Sequence, residues 1–169
     1  MTNSLPYIFL DNDFNLNLAL LILILDEFGI NSKDKKTLDF DKLQILLYLT
    51  KNPSKINQVL QGAGKKSAMI ESLHTHTIES KSSNVDILFK REKTKSLIKS
   101  TAYYGFLATE NAESGSIMFF LSDDGKAFST KLKDDHFDSV RRLLLELKPI
   151  ISVPNTKLFS ILSNIFKGL

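Results

Sequence analysis

The chain of 169 residues contains no cysteine and no tryptophan. The absence of thiols excludes disulfide bridges, catalysis by a cysteine nucleophile and zinc sites built from cysteine ligands. A chain without disulfides fits a reducing compartment, so we expect a cytoplasmic protein. Without tryptophan, the core must be built from leucine, isoleucine and the 12 phenylalanines.

Long apolar runs are also missing. The longest covers only residues 18–25, and Asp26 and Glu27 follow it directly. A helix needs about 20 apolar residues to span a membrane, so we predict no membrane segment. The first six residues lack the basic stretch with which a signal peptide begins, and we expect none.

What remains is an ordinary globular composition, with 43% hydrophobic and 24% charged residues. This length is typical of one domain, and we treat residues 1–169 as a single one. The net charge of +3 is too small to indicate a nucleic-acid partner by itself. The distribution of the charges is therefore more informative than their sum.

The pattern predicts a first helix over residues 14–29, with Gly29 as its stop. Its apolar side chains cover nearly the whole circumference, and such a helix is buried on more than one side. It is either the central core helix or a helix that meets another chain, and both interpretations stay open. If the helix meets another chain, its predicted partner surface consists of Leu18, Leu21, Ile24 and Leu25.

Two amphipathic helices are predicted near the end of the chain, at residues 135–148 and 155–167 within the segment 135–167. In each, apolar residues recur at helical spacing, which indicates one buried stripe. The last helix is also predicted to take part in partner binding, through Leu158, Leu162 and Ile165.

The segment between these helices predicts a winged helix-turn-helix over residues 39–132. The predicted elements are helices at 39–51, 54–60 and 92–104, strands at 106–109 and 117–121, and a further helix that begins at Ser122. Gly105 suits the abrupt turn from helix to strand, and Ser122 suits an N-cap. The fold class we expect is therefore α+β and mostly α, a winged helix with additional N- and C-terminal helices.

The helix at 92–104 is predicted to carry a basic face. Helical spacing predicts that its other side is buried and consists of Thr94, Leu97, Ile98, Thr101 and Tyr104. Its outward residues, together with the cations at its start, are the candidate nucleic-acid contacts: Lys90, Arg91, Lys93, Lys95, Lys99 and Tyr103. A lysine-rich face that is merely solvated is the alternative. Glu110 and Glu113 in the predicted wing loop oppose DNA binding, because they would repel a phosphate backbone.

No motif indicates catalysis. The Gly64-Lys65 pair lacks the glycine and the hydroxyl residue that a phosphate-binding loop requires. His74 and His76 lack further ligands at metal-binding spacing. We therefore expect no catalytic residue, no cofactor and no metal.

The stretch 38–53, with the apolar helix before it and the winged-helix pattern after it, resembles the middle component of prokaryotic three-component ABC-ATPase systems. The small subunit of Lamassu-type antiphage systems belongs to that group. The resemblance implies a non-catalytic accessory subunit of an SMC-like ATPase, with the ATPase and a nuclease-type effector as partners. It leaves open whether double-stranded DNA is a further partner. The alternative function is a homodimeric winged-helix transcriptional regulator.

Overall fold

The computed structural model describes residues 13–70 and 91–167. These residues form helices around one two-stranded antiparallel sheet, so the expected α+β, mostly α class is confirmed. The elements are α1 (Phe14–Phe28), α2 (Phe40–Lys51), a 3-10 turn (Pro53–Lys55), α3 (Ile56–Gly62), α4 (Arg91–Tyr103), β1 (Leu107–Asn111), β2 (Ile117–Leu121), α5 (Asp123–Ser129), α6 (Asp135–Ile151) and α7 (Asn155–Lys167).

Helix α1 is the centre of the molecule. It packs against α2, α4, α5, α6 and β2, which explains why its apolar residues occupy every side. The Asp13 carboxylate caps its start by accepting hydrogen bonds from the backbone N–H groups of Asn15 and Leu16, at 2.9 and 3.2 Å. Residues 14–29, predicted as an addition to the segment 39–132, therefore lie against most of its elements.

Most of the predicted partner-binding residues lie inside the chain's own core. Five of them are buried, namely Leu21, Ile24, Leu25, Leu158 and Leu162. Leu18 and Ile165 are half-buried and pack against the same core. Side chains of this chain already enclose the four buried leucines and the one buried isoleucine, and their role in partner binding stays a prediction.

The predicted hairpin between Gly105 and Ser122 is present. Leu107 pairs with Leu121 at its base, and Asn111 pairs with Ile117 at its tip. Gly105 has a φ of 74°, a conformation that favours glycine, and it turns the chain from α4 into β1. On the other side of the hairpin, the Phe119 N–H donates to the Leu38 carbonyl at 2.8 Å, which ties β2 to the residues before α2.

Two cations join segments that are distant in sequence. The Lys42 side chain is only 5% exposed and donates hydrogen bonds to the carbonyls of Ile150 and Val153 at the end of α6. Burial lowers the pKa of its ammonium group. Arg141 on α6 donates to the Asp26 carboxylate of α1 at 3.1 Å. Both contacts hold α6 against the helices of the first half of the chain.

Tyr48 on α2 makes stability depend on pH in the alkaline range. It is buried, and burial raises the pKa of its phenol to about 12 from 10.0. Because the folded pKa is the higher one, the contribution of Tyr48 is complete below pH 10 and is lost as pH rises through 12. Relative to Tyr48→Phe, we expect the wild-type free energy of unfolding to fall by about 1.4 kcal/mol per pH unit in that window.

Urea unfolding of both proteins, followed across this pH window, measures the difference directly. Lys42 titrates in both proteins, so its effect cancels in the comparison. Parallel pH profiles for the wild type and Tyr48→Phe would show that the phenol is not buried as described.

Candidate functional site

Helix α4 has one buried side and one exposed side. Thr94, Leu97 and Thr101 face the core, and the Thr101 hydroxyl donates to the Leu97 carbonyl at 2.8 Å. Ile98 is half-buried and packs against the same core, as helical spacing predicts. The predicted core side of this helix is confirmed for these four residues.

The exposed side carries a row of Lys95, Lys99 and Tyr103, spaced four residues apart. All three are exposed, and the Tyr103 side chain reaches 88% exposure. The rise of a helix makes this row about 12 Å long. We call it the α4 row. It brings together three of the six predicted nucleic-acid contacts, and their binding role stays a prediction.

The other predicted contacts lie at the start of the helix. Arg91 is already engaged, because its guanidinium lies 3.0 Å from the Asp41 carboxylate and 4.4 Å from the centre of the Phe40 ring. Lys93 is exposed. Lys90 lies outside the described residues.

Within the α4 row, Lys95 pairs with Glu92 at 2.7 Å. The hydrogen bond and the charge of Lys95 lower the pKa of the Glu92 carboxyl, so this acid stays ionised beside the row. Both side chains are solvent-exposed, and an exposed pair of this kind contributes little to stability. The Lys95 ammonium can therefore exchange Glu92 for another anion at small cost.

Aromatic rings continue from the end of the α4 row toward the hairpin. The centroids of Tyr103 and Tyr104 lie 5.8 Å apart, Tyr104 stacks on Phe106 at 5.9 Å, and Phe106 stacks on Phe128 at 4.7 Å. We expected Tyr104 to be buried, but it is 55% exposed. The helix ends at Tyr103, and Gly105 then turns the chain, so the helical spacing no longer applies to Tyr104.

The hairpin next to α4 is acidic at its tip. Glu110 and Glu113 are exposed, and Glu110 lies 3.4 Å from the ammonium of Lys36. The exposed acid Glu113 at the tip contrasts with the lysines of the α4 row. That the tip disfavours phosphates stays a prediction.

A second surface exposes two large apolar side chains. Met69 is 92% exposed and Leu145 is 53% exposed. They line a shallow cavity of about 250 Å³, and its other lining residues are both apolar and polar: Ile70, Leu143, Ser139, Arg142 and Glu146. We call this cavity the α6 groove. Nothing in the sequence pattern indicated it, because Leu145 is a lone apolar residue on the polar side of its helix.

The described part of the chain has no group of three or more histidine or acidic side chains that could hold a metal ion. His74 and His76 lie outside it. No helix among the described residues is long and apolar enough to cross a membrane.

Residues 28–160 match the family model described as ABC-three component (ABC-3C) system Middle Component 4. The match runs from the end of α1 into α7 and includes α4 and the hairpin. No curated protein and no solved structure matches the chain. Because the family model covers most of its length, the chain belongs to the Middle Component 4 family of ABC-three component systems.

Proposed function

We propose that this chain is a non-catalytic accessory subunit that joins the ATPase component of an ABC-three component system to its effector component. The observation that carries the proposal is the family match over residues 28–160, since a middle component implies two further components. The absence of a metal-binding cluster from the described residues is compatible with it.

The proposal includes a winged-helix arrangement. As predicted over residues 39–132, its helices would be α2, α3 and α4, with the β1–β2 hairpin as the wing. Two observations support it: α4 packs against β1, and β2 contacts the backbone of Leu38 just before α2. In this arrangement α1 is an additional helix that packs against α2, α4 and the wing.

We further propose an SMC-like ATPase, a nuclease-type effector and a role in antiphage defence of the Lamassu type. The resemblance of residues 38–53 to the middle component of such systems supports this part. A homodimeric transcriptional regulator is less well supported, because its dimer contacts would fall on the first and terminal helices. Of the residues expected there, Leu21, Leu158 and Leu162 are buried in the chain's own core.

The accessory role is tested by co-expressing this chain, with an affinity tag, together with the ATPase and effector components of its system. We expect the ATPase component to elute with the tagged chain in a constant ratio through size-exclusion chromatography. A tagged chain that elutes alone as a homodimer and selects one duplex sequence would contradict the proposal and favour the regulator.

The α6 groove is the surface where we expect the ATPase component to bind, because it exposes the two large apolar side chains of Met69 and Leu145. Leu145→Arg combined with Met69→Arg should reduce co-elution of the ATPase component at least tenfold. Since both side chains are exposed, the urea midpoint of the isolated chain should stay unchanged. His136→Arg, which adds a cation at an exposed position of α6 outside the groove, is the control. Equal co-elution of both variants would exclude the groove as a contact.

A further inference from the structure

The α4 row and the aromatic residues that follow it form a surface with two chemistries side by side. Lys95 and Lys99 present ammonium groups, and Tyr103 and Tyr104 present exposed rings immediately beyond them. We infer that this surface binds single-stranded nucleic acid, with the lysines at the phosphates and the tyrosines stacked on bases. The inference rests on the geometry of α4 and does not depend on the accessory role.

The lysines supply the attraction to the backbone. They lie one helical turn apart on the same exposed side, so both can face one polyanionic strand. No carboxylate of residues 13–70 or 91–167 forms a salt bridge with Lys99. Lys95 forms a salt bridge with the exposed Glu92, and a phosphate can take the place of this carboxylate.

The tyrosines supply surfaces for bases. Tyr104 stacks on Phe106 with 29° between the ring planes, and Phe106 stacks on Phe128 with 20° between theirs. This stack holds the Tyr104 ring in place before any ligand arrives, so little ordering is lost on binding. Stacking of a base on such a ring is tolerant of sequence, because every base has a π-face.

The hairpin argues for a single strand rather than a duplex. In a winged helix on duplex DNA, the wing lies beside the recognition helix and meets the phosphate backbone. Here the exposed Glu113 would repel it, while the charge of Glu110 is already opposed by Lys36. A single strand can follow α4 alone, and its unpaired bases can reach the exposed rings.

Fluorescence anisotropy with a labelled oligothymidylate, and with a labelled duplex of equal length, tests the inference on the full chain. We expect the single strand to bind at least tenfold more tightly. Tyr103→Ala combined with Tyr104→Ala should weaken it about 10- to 100-fold. The matched phenylalanine variants should retain binding, because they keep the rings.

Lys95→Glu combined with Lys99→Glu should abolish binding. Lys131→Glu combined with Lys148→Glu changes the net charge equally at exposed positions outside α4 and should bind like the wild type. In the wild type, the two lysine contacts should contribute about −1.4 to the slope of log K against log salt.

Tighter binding to the duplex, or no binding to either ligand, would overturn the inference. So would a single-strand affinity that survives loss of both tyrosines. If the tyrosine variants bind the strand normally but lose the ATPase component in co-purification, α4 is a protein contact instead. If the chain binds the single strand but does not co-purify with the ATPase component, only the accessory role is contradicted.

Discussion

Leu21→Asp is expected to unfold the chain. Leu21 is fully buried in α1, the helix against which α2, α4, α5, α6 and β2 pack. The substitution removes an apolar side chain from the core and places a carboxylate there without a partner. Changes of this kind cost more than about 4 kcal/mol, while a domain is stable by only about 5–15 kcal/mol.

Near-ultraviolet circular dichroism and urea unfolding measure this effect. Asn15→Asp is the matched control, because it introduces the same side chain at an exposed position of the same helix. We expect the control to keep the wild-type spectrum and urea midpoint. A folded Leu21→Asp monomer that merely fails to bind a partner would show that α1 is an interface rather than the core.

Gly125→Ala should destabilise the fold by about 3 kcal/mol, the upper part of the range for overpacking. A Cβ atom at Gly125 would lie 2.2 Å from the Phe106 carbonyl oxygen and 3.1 Å from the Leu121 side chain. The carbonyl is backbone and cannot swing away as a side chain could. Helix α5 would have to move off the base of the hairpin.

A thermal or urea unfolding curve measures this loss. Lys126→Ala, at the next position of the same helix, is exposed and should change the midpoint little. An unchanged midpoint for Gly125→Ala would mean that α5 does not approach Phe106 as closely as described. Gly125→Ala should also weaken the binding of single-stranded nucleic acid to α4, since Phe106 supports the ring of Tyr104.

Local features were predictable from the sequence because they depend on neighbouring residues. Helical spacing predicted the buried side of α4, with Thr94, Leu97 and Thr101. The hydroxyl of Ser122 does cap α5, and accepts a hydrogen bond from the Gly125 N–H at 3.1 Å. Gly105 ends α4 through its positive φ, as expected for a helix stop.

The position of α1 was not predictable. A helix that is apolar all round can be enclosed by its own chain or by another, and the pattern is the same in both cases. The role of Gly29 could not be predicted either. It ends α1 with an ordinary helical φ of −59°, which any residue could adopt. Its lack of a side chain matters instead for the close approach of β2, since a Cβ would lie 3.1 Å from the Phe120 Cα.

Contacts between distant segments escape any local pattern. The periodicity of α2 cannot predict what the Lys42 side chain binds. Its carbonyl partners, Ile150 and Val153, lie more than a hundred residues later in the chain. The ring stack from Tyr104 to Phe128 depends on the way the hairpin folds back on α5. Both became visible only in three dimensions.

The most direct measurement is amide hydrogen exchange of the chain alone and within the co-expressed three-component complex. Assembly should slow exchange in the residues that line the α6 groove, while α1 should be equally protected in both states because it is already core. Rapid exchange of α1 in the free chain, with protection only after assembly, would contradict this. It would mean that the partners, and not the chain itself, cover the first helix.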